Sequence, residues 1–153
     1  MIDAAAVAAA VAAVEDPEYP GLTIADLGIL HDVRVDTSSG AVEVDLLPTR
    51  LGCPALDMIR RDVEAAARTV AGTGAVDVSF RHEPAWTPSR ITAGARRHLA
   101  QELTVTVRRR DGSLTCPVCG GGDVETLREV GPAPCRSIAR CHSCRNPVEV
   151  MRA

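Results

Sequence analysis

The chain contains no lysine: all 17 of its basic residues are arginine, and no function is read from that. It is also poor in aromatic residues, with one Trp, one Tyr and one Phe in 153. A core with so few rings must be assembled from Ala, Val, Leu and Ile, which the 46% hydrophobic content supplies. Basic excess is missing too. Net charge is −3 and pI about 5.8, so no global positive field recruits nucleic acid or anionic lipid. No apolar run reaches the roughly 18 residues that a membrane span needs. The opening MIDAAAVAAAVAAVEDPE looks like the apolar part of a secretory signal only superficially. Its first Arg is Arg34, and Asp3 stands where a positive charge is expected. The expectation is a soluble, cytoplasmic protein with no membrane partner.

What is present begins with a helical pattern over 4–14, with Asp3 as N-cap and Val7, Val11 and Val14 on one face. Pro17 and Pro20 end it. ILHDVRV then alternates, placing Ile29, His31, Val33 and Val35 on one face, and AVEVDLL alternates again with Val42, Val44 and Leu46 inward. DTSSG between them makes the pair a hairpin. Residues 54–70 return to helical period through Leu56, Ile59, Val63 and Val70, with Pro54 in the first turn and Cys53 as the N-cap. AVDVSF predicts a third strand, with Val76, Val78 and Phe80 inward. A proline-punctuated loop leads to Ser89 as the cap of a last helix ending near Glu102, with Ile91, Ala95 and Leu99 on its buried side. The order predicts an α+β fold, one sheet with helices packed on it. The expected domains are 1–102, a junction at 103–110 with a short strand-like run, and a Cys/Gly/Pro-rich domain at 111–153.

Five of the six cysteines lie in the last 38 residues. CPVCG puts Cys116 and Cys119 in one knuckle, and CHSCR puts Cys141 and Cys144 in another, with 21 residues between the pairs. In a reducing compartment such pairs are metal ligands rather than disulfides. DVETLREV and RSIAR, joined by GPAP, can form a hairpin that brings the knuckles together as a tetrahedral four-thiolate site. A segment of 43 residues with few large apolar side chains cannot bury an adequate core, so metal binding would supply much of its folding energy. Zn²⁺, iron and an iron–sulfur cluster all suit four thiolates. Cys135 is either a small buried residue or an extra ligand, and His142 is expected to face solvent. Residues 111–153 hold five Arg, five acids and no aromatic residue, so neither a phosphate-neutralising patch nor a stacking platform is expected there.

Cys53 stands 63 residues from its nearest fellow. The positive end of a helix favours thiolate over thiol, and Arg50 lies three residues earlier. Cys53 is therefore a candidate nucleophile or soft-metal ligand, against the plainer reading of a small residue buried at a helix start. His31 and His82 are the distant histidines a thiol enzyme would need. Tyr19 and Trp86 fit either a partner surface or the core.

Three separated motifs occur in order: Asp16-Pro17-Glu18 after the first helix, Thr49 with Cys53-Pro54, and Pro84-Ala85-Trp86 after the third strand. On these the chain resembles the metal–sulfur cluster assembly domain family over about residues 4–102. The two knuckles with Cys135 before the second extend this to its PaaD-like members, accessory subunits of phenylacetyl-CoA epoxidase systems. The junction LTVTVRRRDGS departs from their usual linker. The resemblance implies a non-catalytic maturation role in phenylacetate degradation, assisting iron or iron–sulfur assembly in a multicomponent oxygenase. By it, Cys53 is the transient iron, cluster or persulfide ligand, with Asp16, Glu18 and Thr49 as pocket residues. Cys116, Cys119, Cys141 and Cys144 hold a separate metal. The implied partners are oxygenase or reductase subunits and iron–sulfur assembly proteins, with a homodimer left open. Two alternatives stand beside it: a zinc-ribbon adaptor with a purely structural metal, and a thiol enzyme using Cys53.

Overall fold

The computed structural model describes residues 1–151. Packing divides the chain into two units, one of Met1–Pro48 and Pro54–Trp86, the other of Thr49–Cys53 and the chain from Thr87 onward. The first contains α1 (Ala4–Ala12), β1 (Leu30–Val35), β2 (Val42–Leu46), α2 (Ala55–Arg68) and β3 (Val76–Phe80). The second contains α3 (Ala93–Gln101), β4 (Val105–Val107), β5 (Val124–Arg128), β6 (Arg136–Cys141) and β7 (Pro147–Met151). The fold is α+β, and up to α3 the element order is the one the sequence predicts.

In the first unit β2 is central, antiparallel to β1 and parallel to β3. The parallel step is possible because α2 supplies the crossover. Asp3 caps α1 as expected, accepting from the backbone N–H groups of Ala5 and Ala6. Its short alanines let α1 lie close on α2 and β1, and Val7 and Val11 are wholly buried there. Ile59 and Val63 of α2 and Val42, Val44 and Leu46 of β2 complete the core. One turn position closes it. Gly40 has φ +74°, and a Cβ there would stand 2.2 Å from the Gly72 carbonyl oxygen, so only glycine fits.

Three local expectations are corrected. His31 is exposed rather than inward: Leu30 pairs with Leu46 and Asp32 with Asp45, so His31 is the extra residue of a bulge and the alternation breaks at it. Pro54, not Cys53, stands at the N-cap of α2, with helical dihedrals of its own (φ −59°, ψ −25°) and no capping side chain. The last helix is capped by Thr92, not Ser89. Thr92 Oγ1 accepts from the Ala95 N–H at 3.1 Å, while Pro88–Arg90 form a separate 3₁₀ turn that the extended Ile91 ends. The face expected of this helix is observed, with Ile91, Ala95 and Leu99 all buried.

The second unit is built on a four-stranded sheet in the order β4-β7-β6-β5. The hairpin expected between the knuckles is β5–β6. β7 was not anticipated, and β4, the strand-like run of the junction, pairs parallel to it. α3 packs on β4.

Candidate metal centre and the lone cysteine

Each knuckle is shaped by its own backbone. In the first, the Cys116 N–H donates to the Gly121 carbonyl at 2.8 Å and the Gly120 N–H to the Cys116 carbonyl at 2.9 Å. In the second, the Cys141 N–H donates to the Asn146 carbonyl at 3.0 Å. The residue after the second cysteine is left-handed in both, Gly120 at φ +76° and Arg145 at φ +64°. Glycine tolerates this, whereas Arg145 holds it at a cost of about 1 kcal/mol.

β6 ends on Cys141 and the hairpin folds the two knuckles onto one another. The Sγ atoms of Cys116, Cys119, Cys141 and Cys144 all lie within 4.8 Å of each other. Cys116 Sγ stands 3.7 Å from Cys144 Sγ, and Cys119 Sγ 3.6 Å from Cys141 Sγ. A disulfide requires about 2.05 Å. Four sulfurs placed tetrahedrally at about 2.3 Å from a zinc ion stand roughly 3.8 Å apart, so the spacing fits that ion. Cys116 and Cys141 are buried among Leu114, Ala139, Val148 and Val150, so the donors are also part of this unit's small core.

The thiols differ in proton affinity. The Asn146 side-chain amide, 3.4 Å from Cys144 Sγ, and the Asn146 backbone N–H hold the Cys144 thiol down to about 6. Cys141 is lowered too, first by the Cys144 backbone N–H. The Gly121 N–H draws Cys119 downward, but the Cys141 thiol, burial and the other two thiols outweigh it and push Cys119 up to about 12. Of the four, the raised Cys119 thiol retains a proton that a soft cation would displace.

Cys135 is buried at the start of β6 and does not belong to this four-sulfur group. His142 is exposed as expected, its Nε2 2.9 Å from Glu125 Oε2. Cys53 and Thr49 are half-buried and belong to the second unit, Cys53 just ahead of the α2 cap. Asp16 and Glu18 belong to the first. Asp16 is only 5% exposed, and its Oδ1 accepts from the Glu18 N–H at 2.8 Å, which fixes the acidic loop. His31 and His82 are both exposed. Tyr19 and Trp86 are core residues: each is buried, and Trp86 Nε1 donates to the Leu27 carbonyl at 2.9 Å.

An α+β unit followed by a four-cysteine ribbon defines a class, and comparison agrees. Residues 4–80 match the family described as iron–sulfur cluster assembly protein, and residues 100–152 match the PaaD zinc β-ribbon domain. The chain belongs to the iron–sulfur cluster assembly protein family, among the members that carry this ribbon. It is 31% identical over 146 residues to a putative 1,2-phenylacetyl-CoA epoxidase subunit of Escherichia coli, covering 91% of this chain and 86% of that one. It is 37% identical over 73 residues to an Fe-S protein maturation auxiliary factor of Porphyromonas gingivalis, covering 48% of this chain and 68% of the other. Among solved structures it is similar to a domain of unknown function, DUF59, from Bacillus anthracis. The TM-score is 0.57 and the identity 28%, over 63% of this chain and 90% of that one. A conserved hypothetical protein of Thermotoga maritima gives a TM-score of 0.54 at 31% identity, over 64% of this chain and 94% of its own. Among the described residues no helix is long and apolar enough to cross a membrane.

Proposed function

We propose that the protein is a non-catalytic accessory factor that helps to assemble an iron or iron–sulfur centre in a multicomponent oxygenase, one that epoxidises phenylacetyl-CoA. The observation that carries this reading is the 91% coverage of the chain by its match to the Escherichia coli epoxidase subunit, ribbon included. The match to a maturation factor over about half the chain supports the assembly role independently. In this reading Cys53 is the working thiolate. It is partly exposed, and one protein thiolate leaves the coordination shell of a bound iron open for exchange. Asp16, Glu18 and Thr49 are the pocket residues that the family resemblance implies for it. The four ribbon cysteines hold Zn²⁺ in a closed shell, which suits stability and docking rather than transfer. The partners are the oxygenase and reductase components and iron–sulfur assembly proteins, met in the cytoplasm.

The test is to express the oxygenase components with and without this chain and to measure iron and acid-labile sulfide in the purified oxygenase. A several-fold loss of either in the absence of the chain is expected. Equal content and equal turnover would overturn the assembly role. The closed thiolate set also favours a second reading, a zinc-ribbon adaptor whose metal is purely structural. In that case Cys53→Ser leaves oxygenase loading intact while Cys144→Ser abolishes it.

A further inference from the structure

Between them α3, the turn before it and the segment that follows β4 form an open cavity of about 370 Å³ within the second unit. Arg96, Arg108, Arg109 and Arg110 line it together with Thr87, Pro88 and Ser89. No carboxylate lines it. Counting charge along residues 111–153 gives zero and conceals this cluster, because all four arginines precede that segment. Four arginines lining one cavity with no carboxylate among them make it locally positive in a chain of net charge −3.

Two of them are held in place without being neutralised. Arg108 Nη1 donates to the Gly112 carbonyl at 2.9 Å and its Nη2 to Thr126 Oγ1 at 3.1 Å. Arg96 Nη2 donates to the Pro88 carbonyl. Among the described residues none of the four forms an ion pair. The acids nearby are Asp111, which is lowered first by the Ser113 hydroxyl and only weakly by Arg109, and Glu129. Glu129 borders an adjoining cavity of about 330 Å³ that shares Arg108 and Arg109 and continues over Val150 and Met151.

We propose that this cleft binds a phosphorylated small molecule bearing at least two anionic phosphate groups. Forked guanidinium donors match phosphate oxygens, and because the Thr87 and Ser89 hydroxyls bond each other at 2.6 Å, one of the two is left to donate to a ligand. The volume is that of a small-ligand site. Four positive charges in so small a space suit clustered phosphate charge better than the spaced carboxylates of an acidic peptide. No aromatic ring lines the cleft, so single-stranded nucleic acid finds no stacking platform. The adjoining groove gives the organic part of such a phosphate ester a place to lie. This inference does not depend on the role proposed for Cys53.

Isothermal titration calorimetry of the full, metal-loaded chain with inorganic pyrophosphate at low salt tests it. Saturable binding below about 100 µM is expected, weakened about tenfold or more in Arg109→Gln/Arg110→Gln with metal content and circular dichroism unchanged. Arg96→Gln repeats the test from α3 should the double variant misfold. No saturable heat up to millimolar pyrophosphate, or equal affinity in the folded variants, overturns the proposal. So does binding of a hexaglutamate peptide without binding of pyrophosphate, which would make the cleft a protein-docking surface.

Discussion

Asp45 lies on β2, is 8% exposed, and accepts from two arginines at 2.9 Å, Nη1 of Arg34 and Nε of Arg81. Arg34 first, and Arg81 after it, hold the Asp45 carboxyl below its ordinary value of 3.8 although burial works the other way. A carboxyl lowered in the folded state stabilises the fold above its unfolded value and loses that contribution as pH falls through the folded one. Both arginines are about half exposed, so screening limits the effect. Asp45→Asn should cost about 1 kcal/mol at neutral pH. The gap in thermal midpoint between wild type and Asp45→Asn should shrink as pH is lowered from 5 towards 2. Acid release of the ribbon metal affects both proteins alike and cancels in that difference. A gap independent of pH would mean that the arginines do not hold this carboxylate.

At the scale of elements, the ribbon owes its strand pairing to the knuckles. Its apolar core is little more than Leu114, Ala139, Val148 and Val150 around two of the four cysteines. Removal of the metal should leave clustered thiols with nothing to bind them together and melt β5, β6 and β7. A chelator followed by limited proteolysis should cut within residues 111–151. A surviving fragment that ends near residue 102 would support the sequence-drawn boundary. Loss of α3 as well, with cleavage near Trp86, would tie α3 to the ribbon, in keeping with its packing on β4. Persistence of the strands without metal would contradict the account. The local elements were the legible ones. CxxC spacing reveals ligand pairs because each knuckle is formed by adjacent residues, and Asp3 and the valines announce α1 in the same way. The bulge at His31 is invisible to alternation, which assumes an unbroken pleat. β7 escapes because Pro147 opens a short segment whose pairing partners, β4 and β6, lie elsewhere in the chain. The arginine cleft escapes for a related reason, since Arg96 and Arg108 to Arg110 come from separate elements.

At the scale of the whole molecule, the cysteines stand in two different settings. Four thiols gather within 4.8 Å, a set that could close the shell of one metal ion, whereas Cys53 stands outside that group, half-buried before the cap of α2. A closed shell retains its metal, and a single thiolate can pass one on. Family membership is carried by motifs dispersed from Asp16 to Cys144, which is why it was readable from sequence. The pocket residues that the resemblance implies for Cys53 are not readable from spacing, because Asp16 and Cys53 are 37 residues apart in sequence. The most direct test of the account is iron, zinc and acid-labile sulfide per chain after anaerobic purification and reconstitution, wild type beside Cys53→Ser. The account predicts about one zinc per chain in both, from the single four-cysteine site, and iron or sulfide in wild type alone. Zinc in both proteins, with no iron or sulfide in either after reconstitution, would contradict it and leave the ribbon as the only metal site.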